Sequence, residues 1–159
     1  MGAVYKRIVV ALDGSSLAES ALHQAAELAG AVGAPLHLVR VADATRLHFG
    51  VNEAAAAYAN LGGDLEREAT EASEYLEHLR QRLAVGGQMV TTEVRTGQAS
   101  GELVATTRSG DLLVMASHGR HGAMRWLLGS VAEDVTRKAK TPVLLVRADP
   151  AAGNAASQD

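Results

Sequence analysis

The chain's 159 residues, 47% hydrophobic and 21% charged, make up one ordinary globular domain and exclude a disordered segment or a coiled coil. Lys+Arg 15 against Asp+Glu 18 gives a net charge of −3, which leaves no basic excess for a nucleic-acid backbone. The absence of cysteine removes disulfides, thiolate catalysis and zinc ribbons, and fits a reducing compartment. Met1 to Arg7 runs straight into a strand-like segment without the pattern of a secretory leader. No apolar run approaches the length of a membrane span, so a cytoplasmic chain with no membrane partner is expected. Ile8-Val9-Val10-Ala11-Leu12 is a continuous apolar run suited to a strand buried on both faces. It stops at Asp13-Gly14-Ser15-Ser16, a cluster of turn formers. Ser16 and Glu19 have the spacing of a capping box, so a helix is expected from Ser16 through Leu22, Ala25 and Ala29. Gly30 and Gly33 offer its stop.

Leu36 to Ala42 reads as the second strand. From about Asp43 to Gly63, with Phe49 and Tyr58, no clear periodicity appears, which predicts a lid, a binding loop or an ill-ordered insertion. Leu65, Ala69, Ala72, Leu76, Leu79 and Leu83 then fall on one face of a helix closed by Gly86-Gly87. Met89 to Arg95 is the third strand, Glu102 to Arg108 a short helix and Asp111 to Ala116 the fourth strand. A loop from Ser117 to Leu128 leads to a last helix opened by Gly129-Ser130, with Ser130 and Glu133 as a second capping box. Pro142 to Arg147 is the fifth strand. The reading is a single domain over residues 1–147, with Ala148 to Asp159 as a tail.

Strands alternating with helices predict an α/β fold: a doubly wound parallel five-stranded sheet, order 3-2-1-4-5, with helices on both faces. The switch point then lies between strands 1 and 4, and a ligand belongs in the crevice at their carboxyl ends. Asp13 ends the first strand there; its carboxylate could accept from a ribose hydroxyl or an adenine amine, and equally could make an Asx turn. Val41 offers a wall and backbone bonds to a base, or is simply core. Gly119 permits close backbone approach to a ribose or phosphate, or supplies a turn. Gly129-Ser130 presents helix N–H groups and the positive dipole end to an anion, or is a plain cap. His118 and His121 lie three apart, but without a third ligand they make no metal site. Walker A, dinucleotide-glycine and nucleophile-elbow motifs are absent, and no general base is assignable to activate a water. In this order the fifth strand is an edge, and its apolar Val143, Leu144, Leu145 and Val146 would pair with a twin strand across a two-fold axis.

Four separated segments carry a resemblance. Ile8 to Ser15, Val114 to Gly122, Leu127 to Ala132 and Thr141 to Val146 together resemble the universal stress protein family, over about Lys6 to Arg147. That family's nucleotide motif is Gly, two residues, Gly, nine residues, Gly, then Ser or Thr. Here it reads Ala116, two residues, Gly119, nine residues, Gly129, Ser130, with Ala116 in place of the first glycine. The resemblance implies a homodimer with ATP or AMP in the crevice and Mg or Mn carried by the phosphates. It implies Asp13 and Val41 at the adenosine, and Met115, Ala116 and Gly119 along the ribose and phosphates. Gly129, Ser130 and Val131 would hold the phosphates through backbone amides and the Ser130 hydroxyl. Two functions stand side by side: a nucleotide-binding stress or signalling module, and a nucleotide-free dimerisation module.

Overall fold

The apolar run after Arg7 forms β1 (Arg7–Leu12), in which Ile8 to Leu12 are all buried. A strand with no polar face belongs inside a sheet covered on both sides. The structure, a computed structural model, describes residues 4–43, 54–117 and 129–147. Along the chain follow α1 (Ser16–Val32), β2 (Leu36–Ala42), α2 (Ala54–Ala84), β3 (Val90–Thr96), α3 (Ala99–Thr106), β4 (Asp111–Ser117), α4 (Ser130–Lys138) and β5 (Val143–Arg147). The sheet runs β3-β2-β1-β4-β5, parallel throughout, which is the expected order. Val10 pairs with Leu38 on one side and Val114 on the other, so the carboxyl ends of the three central strands open toward the same side.

Strand alternation divides the core in two. Ile8, Val10, Leu36 and Leu38 meet Ala21 and Ala25 of α1, with Leu76 of α2. Val9, Val39, Leu113 and Met115 meet Leu103 of α3 and Val135 of α4. Each fully buried Leu, Ile or Val side chain contributes about 1.5–3 kcal/mol. The alanines of α1 let its axis lie close to the sheet, and Gly33 ends it at φ 67, returning its N–H to Ala29 O.

Several boundaries differ from the sequence reading. The cap of α1 is Ser15, whose side chain accepts from Ala18 N, and not Ser16. The cap of α4 is Gly129, so Ser130 is the first helical residue and no side chain caps the helix. The stretch expected to be irregular to Gly63 is helical from Ala54 onward. Helix α3 starts at Ala99 rather than Glu102, because the Asp43 carboxylate accepts from Ala99 N at 3.1 Å. That cap comes from 56 residues away, beyond the reach of local pattern. Phe49, the loop with Gly119, His118 and His121, and the tail from Ala148 lie outside the described residues. Among the described residues, no helix is long and apolar enough to cross a membrane.

Candidate functional site

The crevice at the switch point is a cavity of about 160 Å3. Asp13 from the end of β1, Val41 from β2, and Met115 and Ala116 from β4 line it, together with Gly129, Ser130 and Val131 at the start of α4. Seven of the eight sequence-derived positions are thereby brought together, and the eighth, Gly119, lies outside the described residues. Ala116 is a strand residue paired with Val146, so its methyl group carries no left-handed backbone strain.

Asp13 and its neighbours form the wall on the β1 side. The Ser15 amide donates to Asp13 Oδ1 at 2.9 Å, and the Ser15 hydroxyl donates to the same oxygen. Ser15 Oγ in turn accepts from Ala18 N at 3.1 Å. Asp13 is therefore an Asx-turn residue and a wall residue at once. Gly14 between them has φ +84, a left-handed conformation that favours glycine.

Opposite that turn, α4 presents its amino end. Gly129 caps it with extended backbone and no side-chain hydrogen bond, so first-turn amides and the positive end of the dipole face the cavity wall. The sides between are apolar, from Val41, Met115 and Leu103. One end is thus suited to negative charge, the middle to a flat apolar group and the Asp13 end to hydrogen-bond donors.

The sequence reading missed Ala18, Ala99 and Leu103 among the lining residues. A signal for the last two existed. Right-handed crossovers put α1 and α2 on one face, and the reversal of direction between β3 and β4 puts α3 on the other, facing the crevice with Ala99 and Leu103 one helical turn apart.

Helix α3 is fixed at both ends. Its amino end is capped by Asp43; at its other end Arg7 Nη2 donates to Thr106 O at 3.0 Å. Arg7 also pairs with Asp111 at 2.6 Å. Thr106 Oγ1 donates to Glu93 Oε2 at 2.7 Å, and the same carboxylate oxygen lies 2.9 Å from His37 Nε2. His37 Nδ1 lies 2.8 Å from Thr91 Oγ1. The Thr106 hydroxyl, aided by His37 and Arg95 and opposed by burial, holds Glu93 down at about 2. Burial holds His37 below its ordinary value, although its bond to Glu93 works the other way. For Asp111, burial would raise the pKa, but Arg7 and the Arg108 amide outweigh it and hold the carboxyl low.

The comparisons with known proteins agree with this fold. The profile of the universal stress protein family matches residues 4–147. Universal stress protein MJ0531 of Methanocaldococcus jannaschii is 33% identical over 146 residues, covering 91% of this chain and 83% of that one. The solved structure of MJ0577 from the same organism superposes with a TM-score of 0.71 at 27% identity, covering 92% of this chain and 98% of that chain. A solved universal stress protein in complex with cAMP superposes at 0.59 with 25% identity, covering 90% and 97% respectively. The family match spans every strand and helix described above, and the chain belongs to the universal stress protein family.

Proposed function

We propose that this chain binds an adenine nucleotide, ATP or AMP, at the switch-point cavity and acts as a stress-response or signalling module whose conformation or partners depend on occupancy. The observation that carries the reading is the amino end of α4, which no side chain caps, opening on the same cavity as the Asp13 turn and an apolar wall. Phosphates suit the first, a ribose or base the second and third. The cAMP complex of a family member supports the same ligand class. Mg or Mn would arrive with the phosphates; among the described residues no group of three or more His, Cys, Asp or Glu could hold a metal ion by itself.

Calorimetric titration with AMP and ATP tests the arrangement. Gly129→Val is expected to abolish binding of both nucleotides while leaving the fold intact, because the residue sits at a helix start outside the core. Asp13→Ala is expected to weaken AMP and ATP alike, since it acts at the nucleoside end. Wild-type protein giving no heat with either nucleotide at millimolar concentration overturns the reading. The second reading, a nucleotide-free dimerisation module, is favoured by one observation: β5 is a sheet edge on which Leu144 stands exposed.

A further inference from the structure

Behind the Asp13 turn, on the side away from the cavity, a side chain from β2 lies against the backbone. Arg40, in register with Leu12, rests its guanidinium on Gly14. A Cβ at Gly14 would stand 3.1 Å from Arg40 Nη1, 3.4 Å from Cζ and 3.5 Å from Nη2, three nearly equal distances that describe a plane laid flat on the turn. The guanidinium also lies over the ring of Tyr75 in α2, whose centroid is 5.2 Å from Cζ. Tyr75 in turn donates its hydroxyl to Glu19 Oε1 of α1 at 3.2 Å. Burial, then the charge and hydrogen bond of Glu19, push the Tyr75 phenol up, so it remains a donor at any physiological pH.

We infer that Arg40 and Tyr75 are positioning residues of the nucleotide site, clamping the Asp13-Gly14-Ser15 turn from behind and linking α2 to affinity. The inference rests on the nucleotide reading above. Its physical basis is the freedom of Gly14. A glycine at φ +84 has no side chain to restrict it, so the turn needs an outer wall to keep the Asp13 carboxylate in one place. A planar cation held over an aromatic ring supplies a flat wall against that backbone. Tyr75 also joins both helices of this face, so a displacement of α2 would reach the cavity through Arg40.

Two readouts on the intact chain test the clamp. Amide hydrogen exchange of Ser15, which donates to Asp13 Oδ1, reports the turn in nucleotide-free protein. The calorimetric Kd for AMP reports the site. Arg40→Met and Tyr75→Leu are each expected to speed Ser15 exchange and to weaken AMP about three- to tenfold. The double variant should be no worse than either single one, because both remove the same contact. Tyr75→Phe, which keeps the ring, should recover most of what Tyr75→Leu loses. Ser15 exchange unchanged in Arg40→Met overturns the clamp. Faster exchange with unchanged AMP affinity overturns its role at the site. Equal acceleration at the core amides of Val9 and Val10 makes Arg40 a general stabiliser and overturns positioning as well. Wild-type protein that binds no AMP overturns the nucleotide reading, and the exchange measurement still decides whether the turn is held.

Discussion

Ser15 and Ser16 are adjacent and chemically identical, yet only the first caps α1. Its hydroxyl accepts from Ala18 N and donates to Asp13, so one oxygen both closes the helix and fixes the turn on the cavity wall. Ser15→Ala is expected to cost about 1–2 kcal/mol of stability, the usual worth of a cap, while Ser16→Ala should be nearly neutral. Urea denaturation of the two variants checks this, and equal losses would contradict the assignment. The sequence pattern pointed one residue too far because Glu19, the apparent partner of Ser16, instead receives the Tyr75 hydroxyl from another helix. Residues such as Asp13, Val41 and Gly129 were legible because each ends a strand or opens a helix at the switch point. Arg40 was not, because its role depends on a ring 35 positions later in the chain that no short window contains.

At the scale of elements, strands were more legible than helix ends. A strand buried on both faces announces itself as an unbroken apolar run, whereas α2 hides its first turns behind Gly62-Gly63, which cost a helix about 1 kcal/mol each relative to alanine. The position of α3 was concealed for another reason: tertiary contacts fix both its ends. Those contacts also predict an acid response in two stages. The folded His37 has a pKa below 6.5, so the unfolded chain takes up that proton first, and stability falls as the pH drops below about 6.5. Glu93, held at about 2, contributes stability that is complete above the ordinary carboxylate value and is lost as the pH falls toward 2. Asp111, also held low by Arg7, adds to the second stage. Urea midpoints measured from pH 8 to pH 3 should show both stages, and His37→Asn should flatten the first while Thr106 and Arg95 keep most of the second. A wild-type midpoint that is level between pH 7 and pH 5 would contradict the buried, neutral histidine.

The strand order of the whole molecule was legible because right-handed crossovers leave few alternatives, and the same order exposes two edges of different character. On β3 the edge carries exposed Thr91, Thr92 and Thr96 with Glu93 and Arg95 between them, the polar and charged pattern that resists pairing with another sheet. On β5 the run is Val143-Leu144-Leu145-Val146, with no charge before Arg147. The two faces of β5 are unequal as well. Val143 and Leu145 pack toward Leu103 and Val135, and Val146 is 3% exposed on the α1 side, while Leu144 stays 38% exposed. An isologous pairing of β5 with its twin would cover Leu144 and satisfy both edges at once. Leu144 is therefore the informative position, since a charge at Leu145 would strike the interior and confuse assembly with folding. Wild-type protein is expected to sediment as a dimer at micromolar concentration. Leu144→Asp should sediment as a monomer with an unchanged circular dichroism spectrum, because a carboxylate buried opposite its own copy has no partner to neutralise it. A monomeric wild type, or a Leu144→Asp variant that still dimerises, would leave β5 a free edge and move any assembly to another surface.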